Sequence, residues 1–249
     1  MGAYKVTPMT GKISIITATL NSEKTLPSLI ESLESQTDGE FEWIVVDGGS
    51  TDRTLELLHD SKISSLIIDS RSDGGIYDAL NRALSISKND YYLVLGSDDR
   101  LESKAVKLFR ETLAEQLMQP DFITANIQTD KGVVKDKFKM PWLYSQYAYL
   151  TSHAVGTLIR KSLHEQHGKY SLKLPIAADQ LFLKRACDSG AKIVRVNFTA
   201  GHFSTKGVSG SDKIGSLTES FRVQLETGEN KWVQLCLFVL RSIKLFLNN

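Results

Sequence analysis

The first hundred residues alternate between two hydrophobic periods. Short runs rich in Val, Ile and aromatic residues are typical of buried strands, and they occur at 13–17, 41–46, 65–69 and 91–95. Stretches with apolar residues at helical spacing lie at 22–36, 51–59 and 76–87, and Ser22 is expected to cap the first of them. Buried strands that alternate with helices are typical of a parallel sheet covered on both faces. The pattern predicts an α/β fold with a mostly parallel, Rossmann-like central sheet.

After about residue 120 the pattern loosens. Strands of a meander are expected at 121–125, 132–135 and 152–159, and a helix over 179–189 precedes a last strand at 191–196. The chain contains no internal repeat and no low-complexity linker. We therefore expect one domain over 1–228, with a front half at about 11–118 and a second half at about 119–228, followed by a distinct segment at 229–249.

The C-terminal segment is predicted to be an amphipathic helix. Residues 232–247 include no acidic residue, and Lys231, Gln234, Arg241 and Lys244 fall along one face. Sixteen helical residues span about 24 Å, which is less than the ~30 Å hydrocarbon core of a bilayer. Two interpretations stay open: the helix lies in the interface of an anionic membrane, or its apolar face packs on the domain or on a second subunit.

Composition and charge exclude several classes of protein. The chain has 249 residues, 41% apolar and 24% charged, as in ordinary soluble domains. Thirty Lys and Arg against 29 Asp and Glu give a formal charge of +1, so no bulk attraction to nucleic acid is expected. Cys187 and Cys236 lie too far apart for a disulfide framework or a zinc site. The N-terminus lacks the pattern of a signal peptide, which favours a cytoplasmic protein.

Polar loops follow all four front-half strands, at 17–21, 47–52, 72–75 and 96–99. In a parallel sheet, ligands bind at the loops beyond the carboxyl ends of the strands. A single Asp after a strand is most often a helix cap or an Asx-turn, which is sufficient to explain Asp52 and Asp73. The coincidence of four such loops nevertheless predicts a ligand site at this edge.

The adjacent Asp98 and Asp99 are the most specific feature. Two neighbouring carboxylates at the end of a buried strand suit a hard cation, Mg²⁺ or Mn²⁺, held together with substrate phosphates. Such a cation would make a diphosphate a better leaving group. The chain has no G-x-G-x-x-G after its first strand, no P-loop and no G-x-S-x-G elbow. These absences disfavour dinucleotide redox enzymes, P-loop NTPases and common serine hydrolases, and leave a metal-bound nucleoside diphosphate.

Four segments together resemble the family 2 glycosyltransferases of the GT-A fold. They are 13–21, 44–54, 73–81 and 95–99, in matching order and spacing, with weaker similarity at 152–156, 176–179 and 206–209. More narrowly, the chain is similar to bacterial enzymes that add a hexose while an O-antigen or capsule repeat is built on a lipid diphosphate.

The resemblance implies roles for residues at the loops. Seven residues would surround the nucleotide-sugar: Thr17, Ala18 and Asn21 at the base and ribose, Asp47 as an acceptor from the base, Asp73 and Gly74 closing over the base, and Asp98 at the ribose or donor sugar. Asp99 would bind the metal. The sequence departs from the family pattern twice. The metal motif reads Gly96-Ser-Asp-Asp rather than Asp-x-Asp-Asp, so only its last two carboxylates remain, and Leu80 stands where family members often carry an Arg. Arg71 or Arg82 would then have to contact the diphosphate.

The acceptor side is inferred with more alternatives. Asp179 matches the family's catalytic base, although a plain helix N-cap explains the bare sequence equally well. His153 is a candidate base or acceptor-binding residue, His202 a metal or phosphate ligand, and Lys206 a contact to the acceptor diphosphate; each has an ordinary structural explanation as well. His59, His164 and His167 lie in polar stretches typical of the surface. Four aromatic residues suit either a sugar-stacking wall or the core: Trp142, Tyr144, Tyr147 and Tyr149.

The sequence therefore predicts an inverting hexosyltransferase that uses a UDP-sugar, Mn²⁺ or Mg²⁺, and a lipid-diphosphate-linked saccharide acceptor, at the cytoplasmic face of the inner membrane. A homo-oligomer is left open. One alternative is a sugar-nucleotide nucleotidyltransferase, which would want Gly and Lys in the first loop, where residues 17–21 have neither. The other is a degenerate, membrane-associated scaffold domain, which the two departures from the family pattern would favour.

Overall fold

Nine strands form one sheet in the computed structural model, which describes residues 11–134, 140–205 and 212–247. The strands are β1 (Ile13–Thr19), β2 (Phe41–Asp47), β3 (Leu66–Ser70), β4 (Tyr91–Val94), β5 (Arg100–Leu101), β6 (Phe122–Thr129), β7 (Gly132–Val134), β8 (Thr157–Arg160) and β9 (Ile193–His202). Their order across the sheet is β3-β2-β1-β4-β8-β6-β9-β5, with β7 paired to β6. Strands of both predicted halves therefore belong to a single sheet.

The described helices lie between and after these strands. They are α1 (Leu26–Glu34), α2 (Thr54–His59), α3 (Ile76–Ile86), α4 (Ala105–Glu115), α5 (Pro141–Tyr144), α6 (Leu163–His167), α7 (Ala178–Asp188), α8 (Lys213–Glu226) and α9 (Lys231–Leu247), with a 3₁₀ turn at Ser145–Ala148. The predicted α/β fold is confirmed, and the alternation predicted over the first hundred residues is present in full.

The parallel part of the sheet sets the geometry of the loops. Strands β1, β2, β3 and β4 pair in parallel, and Thr19, Asp47 and Ser70 stand side by side at their carboxyl ends. Beyond β4 the sheet is mixed, because β8 runs antiparallel to both β4 and β6 while β9 runs parallel to β6. The prediction of parallel strands thus holds for the front half, where each strand is connected to the next by a crossover helix.

The second half departs from the predicted boundaries. The strand expected at 152–159 begins only at Thr157, because the chain turns before it: Val155 has a φ of 66°, and the Thr157 hydroxyl donates to the Ser152 carbonyl over 2.6 Å. In the front half, the prediction that the Ser22 side chain caps α1 is wrong, since the N-cap is Thr25 and its side chain makes no capping bond. The Ser22 carbonyl instead accepts from the backbone of Thr25 and Leu26.

The core lies on both faces of the sheet. Alternate residues of the central strands point to opposite sides: Ile16 and Ile44 pack with α3 and α7, while Ile15 and Trp43 pack with α1 and α4, all four fully buried. Each such side chain contributes about 1.5–3 kcal/mol through burial. Because helices hold the sheet from both sides, the loops at its carboxyl edge rest on a rigid platform.

The C-terminal helix turns two of its polar residues, Gln234 and Arg241, toward the protein, whereas Lys231 and Lys244 are exposed. Gln234 donates to the Trp142 carbonyl and Arg241 to the Leu143 carbonyl, both over 2.6 Å, and Phe238 lies 4.9 Å from Phe221 of α8. Several apolar side chains of α9 are exposed: Trp232 at 66%, Leu240 at 62%, Ile243 at 51% and Phe246 at 71%. Within the described ranges no helix has the length and apolar character needed to cross a bilayer.

Candidate functional site

Asp47 organises the second loop from a fully buried position. Its Oδ2 accepts from the backbone of Gly49 and Ser50 over 3.0 and 2.9 Å and from the Ser70 hydroxyl over 2.8 Å. Its Oδ1 accepts from the hydroxyls of Thr19 and Ser50. Burial opposes ionisation, but these hydrogen bonds outweigh it and hold the Asp47 pKa below its usual range. In the structure this carboxylate is occupied by its own loop, and its role at a nucleotide base stays a prediction.

The first and second loops are tied to each other by short polar side chains. Asn21 has a φ of 49°, donates from its backbone to the Ser50 hydroxyl over 2.8 Å, and accepts from the Thr51 backbone over 2.9 Å. Asp52 accepts from the backbone of Thr54, as an Asx-turn does, and also from Glu23. The structural interpretation of Asp52 is therefore confirmed.

Thr17 and Ala18 contribute less directly than expected. Thr17 is fully buried, and its hydroxyl accepts from the indole of Trp43 over 3.1 Å. Ala18 is half-buried and packs against the core on the α3 side of the sheet. The Thr17 side chain thus lies in the core rather than among the loops, since the strand continues two residues beyond the predicted end before the chain turns.

Asp73 and Gly74 lie against the second loop. The Asp73 carboxylate accepts from the Gly75 backbone over 2.9 Å, which is an Asx-turn, and a Cβ on Gly48 would lie only 3.0 Å from its other oxygen. The Gly74 backbone donates to Asp78 over 3.0 Å. Gly75 has a φ of 107°, a conformation that favours glycine, and leads directly into α3.

Asp98 and Asp99 fold back over Gly96. A Cβ on Gly96 would lie 2.8 Å from Asp98 Oδ1 and 3.1 Å from Asp99 Oδ2, so the absence of a side chain makes room for both carboxylates. Asp99 is 2% exposed and accepts from the backbone of Gly96 over 2.7 Å and of Ser204 over 2.9 Å. Burial raises the pKa of Asp99 to about 7, against these hydrogen bonds and with a smaller contribution from the charge of Asp98.

A divalent cation fits this pair. Among the residues that the structure describes, no three His, Cys, Asp or Glu side chains form a metal cluster. Mg²⁺ and Mn²⁺ sites at phosphates commonly use only one or two carboxylates, with water and phosphate oxygens completing the shell. Each oxygen of Asp99 keeps a lone pair beyond the one its backbone donor uses. A cation would also offset the unfavourable charge of a carboxylate buried beside another carboxylate.

His202 lies at the end of β9, close to this pair. Its backbone pairs with Arg100 beside Asp99, and Gly201 allows the approach, since a Cβ there would be 2.1 Å from the Arg100 carbonyl. The His202 ring Nε2 lies 3.4 Å from Asp130 Oδ1. Its role as a metal ligand stays a prediction. Lys206 lies outside the described residues.

Asp179 lies in the first turn of α7, but it does not cap the helix. The N-cap is Ala177, and the α8 residue Glu219 accepts from the backbone of Ile176 and Ala177 over 2.9 and 2.8 Å. The alternative that Asp179 is a plain N-cap is therefore wrong. Glu219 binds two N–H groups that precede the first helical residue, Ala178, while the Asp179 carboxylate contacts other side chains.

Three buried or nearly buried side chains surround Asp179. The Tyr77 hydroxyl lies 2.6 Å from Asp179 Oδ1 and 2.8 Å from the Ile176 carbonyl, so its one proton is shared between two acceptors. His153 Nδ1 lies 3.6 Å from Asp179 Oδ2, and His153 Nε2 lies 2.7 Å from the Tyr170 hydroxyl. Burial lowers the pKa of His153, while the charge of Asp179 partly offsets this. We call Tyr77, His153, Tyr170 and Asp179 the Asp179 cluster.

The Asp179 cluster adjoins the loops. We call the four loops at 20–25, 48–53, 71–75 and 95–99 the loop edge. Tyr77 stands in the first turn of α3, immediately after the Asp73–Gly75 turn, and therefore connects the loop edge to Asp179. A ligand held at the loop edge would have a carboxylate and an imidazole nearby. This is the arrangement that removal of a proton from a hydroxyl group requires.

Other candidates have different surroundings. Leu80 is buried, and Arg82 is bound to Asp69 over 2.9 Å with its side chain 14% exposed, whereas Arg71 is 66% exposed and 3.4 Å from the same carboxylate. Arg71 is thus the more accessible of the two proposed replacements for the missing Arg. The aromatic residues at 142, 144 and 147 are not core, being 39%, 44% and 51% exposed.

Sequence reasoning missed four residues that complete the Asp179 surroundings: Tyr77, Tyr170, His164 and Glu219. Tyr77 lay within the segment 73–81 that carries the family resemblance, so a signal was present. His164 was expected at the surface, but its ring is stacked on Phe182 at 4.0 Å and hydrogen-bonded to Tyr92. The neighbours of His164 in the sequence are polar, because only one side of the short helix α6 is buried. A helix of five residues is too short for its buried side to be recognised from periodicity.

Curated glycosyltransferases are similar to this chain in sequence. The chain is 43% identical over 91 residues to a PGL/p-HBAD biosynthesis glycosyltransferase of Mycobacterium tuberculosis, which covers 35% of this chain and 36% of that protein. It is 29% identical over 209 residues to the poly(ribitol-phosphate) β-N-acetylglucosaminyltransferase TarS of Staphylococcus aureus, over 78% of this chain and 36% of TarS. The matches thus span about a third of the length of these curated relatives.

Solved structures share the fold. A structure of TarS residues 1–349 with UDP-GlcNAc superposes with a TM-score of 0.72 at 24% identity, over 90% of this chain and 69% of the other. Glucosyl-3-phosphoglycerate synthase of M. tuberculosis, with Mn²⁺, UDP and phosphoglyceric acid, superposes with a TM-score of 0.64 at 19% identity, over 88% and 80%. The fold is GT-A. The family model for glycosyl transferase family 2 matches residues 14–168, and the chain belongs to that family.

Proposed function

We propose that this chain transfers a hexose, with inversion, from a UDP-sugar to a saccharide acceptor linked to a lipid diphosphate, during assembly of a bacterial surface polysaccharide such as O-antigen or capsule. The observation that carries the proposal is the position of Asp179. It lies in the first turn of α7 without capping that helix, and it is joined to the loop edge through Tyr77. A carboxylate placed beside a nucleotide-sugar site acts as the base of a single displacement.

The donor would bind at the loop edge. TarS has been solved with UDP-GlcNAc and the synthase with UDP and Mn²⁺, and both share the GT-A fold with this chain. Asn21, Asp73 and Asp98 are the predicted contacts that lie on the loops themselves. Asp98 and Asp99 would hold Mn²⁺ or Mg²⁺, and this cation, when bound, neutralises charge on the departing diphosphate.

The base would act on the acceptor hydroxyl. Tyr77 orients the Asp179 carboxylate by donating to Oδ1, and the opposite oxygen faces His153. An acceptor hydroxyl at Oδ2 loses its proton as its oxygen attacks the sugar carbon, on the face opposite the departing diphosphate. Transfer by one displacement inverts that carbon. Exposed aromatic side chains at 142, 144 and 147 border this half of the protein and suit the apolar faces of an acceptor saccharide.

A membrane-bound acceptor accounts for the exposed face of α9. The helix turns Gln234 and Arg241 inward and leaves Trp232, Leu240 and Phe246 outward. Apolar and aromatic side chains on the outside of a helix with basic ends suit the interface of an anionic bilayer. We infer that the enzyme acts peripherally at the cytoplasmic face of the inner membrane, where its acceptor would lie.

A thermal-shift titration tests the donor site. UDP and GDP are titrated with and without Mn²⁺, on the wild type and on Asp99→Asn. UDP at a hundred times its dissociation constant stabilises the folded state by about 2.7 kcal/mol. We expect this stabilisation to require both Mn²⁺ and Asp99, and to be larger for UDP than for GDP. Absence of stabilisation by either nucleotide would contradict the proposal and favour the scaffold alternative.

A further inference from the structure

A buried hydrogen-bond chain leads from the Asp179 cluster into the protein. His153 Nε2 lies 2.7 Å from the Tyr170 hydroxyl, which lies 2.7 Å from the Tyr92 hydroxyl, which in turn lies 2.7 Å from His164 Nε2. His164 Nδ1 lies 3.0 Å from the carbonyl oxygen of Gly168. Tyr92 and Tyr170 are 0% and 2% exposed, so bulk water does not compete for these contacts.

The Gly168 carbonyl determines the direction of the chain. A carbonyl oxygen only accepts, so His164 must carry its proton on Nδ1. Burial lowers the pKa of His164 to about 4, so at neutral pH the ring has one proton and Nε2 is left as an acceptor. The Tyr92 hydroxyl therefore donates to His164.

The same reasoning fixes every later proton. Tyr92 has one proton, which goes to His164, so Tyr92 accepts from Tyr170. The Tyr170 hydroxyl likewise donates its proton to Tyr92, and it accepts from His153 Nε2–H. His153 is neutral at neutral pH and has no second proton. Its Nδ1 is consequently a bare lone pair.

This lone pair faces the base. Nδ1 of His153 and Oδ2 of Asp179 are 3.6 Å apart, beyond the usual 2.7–3.2 Å of a hydrogen bond between nitrogen and oxygen. That separation agrees with two acceptors that have no proton between them. Asp179 alone would favour the opposite tautomer, in which Nδ1–H donates to the carboxylate. The hydrogen-bond chain that ends at His164 holds the His153 ring in the other tautomer, with its proton on Nε2.

We propose that His164 is a positioning residue for the base: through Tyr92 and Tyr170 it fixes the tautomer of His153 that presents bare Nδ1 to Asp179, so that the two residues take up the acceptor proton together. The inference rests on the proposed role of Asp179 as the base. His164 touches neither acceptor nor donor, and acts only through the direction of the hydrogen bonds.

The step balances without a further reactant. The acceptor O–H bond breaks, its proton passes to Asp179 Oδ2 and is shared with His153 Nδ1, and the electron pair of the oxygen forms the bond to the sugar carbon. The bond between that carbon and the diphosphate oxygen breaks, and its electron pair leaves with the nucleoside diphosphate. The proton is then lost to solvent when the product departs. A second acceptor beside the carboxylate stabilises the protonated pair.

Several other ionisable groups lie near Asp179 and the two histidines. The groups that the structure places near Asp179, His153 or His164 are Tyr77, Tyr92, Tyr147, Tyr170, His167, Lys169 and Glu219. Tyr77, Tyr92 and Tyr170 keep their protons at neutral pH, because burial raises the pKa of each and the charge of Asp179 adds to this for Tyr77 and Tyr170. The proton direction in the chain is therefore unchanged across the neutral range.

Two variants of His164 separate hydrogen bonding from packing. His164→Phe keeps an aromatic ring for the stack on Phe182, whose ring centroid lies 4.0 Å away, but removes the acceptor for Tyr92. His164→Gln loses the ring and keeps an acceptor oxygen at a similar reach. His167→Phe, at the end of the same helix, is the matched control. Tyr92→Phe breaks the same chain at a second place, should His164→Phe fail to fold.

The tautomer of His153 is read by ¹⁵N NMR of the full chain without donor, assigned through a His153→Gln spectrum. We expect the Nε2–H form in the wild type, in His164→Gln and in the control. In His164→Phe, Tyr92 has lost its acceptor and turns toward Tyr170, the chain reverses, and His153 switches to Nδ1–H. In a transfer assay we expect kcat of His164→Phe to fall about 10- to 100-fold at unchanged donor KM, with partial recovery in His164→Gln.

Two NMR results would overturn the inference. The first is an Nδ1–H tautomer of His153 in the wild type, and the second is an unchanged Nε2–H tautomer in both His164→Phe and Tyr92→Phe. A loss of kcat in His164→Gln as large as that in His164→Phe would assign the effect to packing and would also overturn it. Failure of the proposed function is separable. A switched tautomer in His164→Phe together with wild-type turnover in Asp179→Asn would remove Asp179 as the base and still support control of His153 by His164.

Discussion

The loop edge and the Asp179 cluster are both rich in carboxylates and hydroxyls, yet they hold them differently. At the loop edge, Asp47, Asp52 and Asp73 each accept from backbone N–H groups of their own or a neighbouring loop. In the Asp179 cluster, the carboxylate contacts a hydroxyl and an imidazole. At the loop edge, the carboxylates hold the backbone of the loops in place. In the Asp179 cluster, the Asp179 carboxylate can gain and lose a proton.

This difference indicates which carboxylates are structural. Hydrogen bonds from backbone N–H groups stabilise the charged form, so a carboxylate such as Asp47 resists protonation. Such a group holds a loop well and serves poorly as a base. Asp179 lies beside Tyr77, which keeps its proton, and beside His153, with which it can share a proton, and this arrangement suits catalysis. Asp99 is intermediate, because burial favours its neutral form and a bound cation would stabilise its charged form.

The largest effect is expected from a substitution that changes the Asp179 cluster and leaves the loop edge intact. Asp179→Asn removes the proposed base with little change in size, and we expect kcat for sugar transfer to fall about 10²- to 10⁴-fold. Stabilisation by UDP and Mn²⁺ in a thermal melt is expected to equal that of the wild type, because the Asp179 side chain contacts Tyr77 and His153 and not the loops proposed to hold the donor. Loss of that stabilisation would mean that the two regions are not separate.

A smaller effect tests the loop edge as a backbone scaffold. Asp47→Ala leaves the backbone donors of Gly49 and Ser50 and the Ser70 hydroxyl without their acceptor. We expect the free energy of unfolding to fall by about 3 kcal/mol at pH 7, measured by urea denaturation. Asp60→Ala, at the exposed end of α2, is the control and should change it by under about 0.5 kcal/mol.

The same pair of variants predicts a pH dependence. The folded pKa of Asp47 lies below its unfolded value of 3.8, so its contribution to stability is complete above that value and is lost as pH falls through the folded pKa. The gap between the wild type and Asp47→Ala should therefore shrink when urea denaturation is repeated at decreasing pH below 4. A constant gap would show that the loop does not depend on the ionised carboxylate.

The smallest expected effect concerns the exposed face of the C-terminal helix α9. Trp232→Ser and Phe246→Ser change side chains that are 66% and 71% exposed, so the free energy of unfolding should move by less than about 0.5 kcal/mol. Binding to vesicles that contain anionic lipid should weaken about tenfold for each, since an aromatic side chain leaves the interface. Leu117→Ser, at 89% exposure after α4, is the control. Equal sedimentation of all variants with vesicles would exclude a membrane role for α9.

The sequence predicted the front half well because its signals are local. The strand and helix periods repeat within ten residues, and turn residues such as Asp52 and Asp73 bind backbone two residues ahead. The end of β1 was placed two residues early, because Thr17 is polar yet fully buried against Trp43. Strand pairing, which comes from distant residues, decided that boundary.

The alternation of periods, the four polar loops and the pair Asp98 and Asp99 were determined by the sequence alone. Tertiary structure alone decided that Tyr77 contacts Asp179, that a hydrogen-bond chain joins His164 to His153, and that Gln234 and Arg241 of α9 face inward. The partners in these contacts are far apart in the chain: Tyr77 and Asp179 by 102 positions, Tyr92 and His164 by 72. Periodicity and turn chemistry act over a few residues, whereas a buried polar side chain is satisfied by whichever group packing brings beside it.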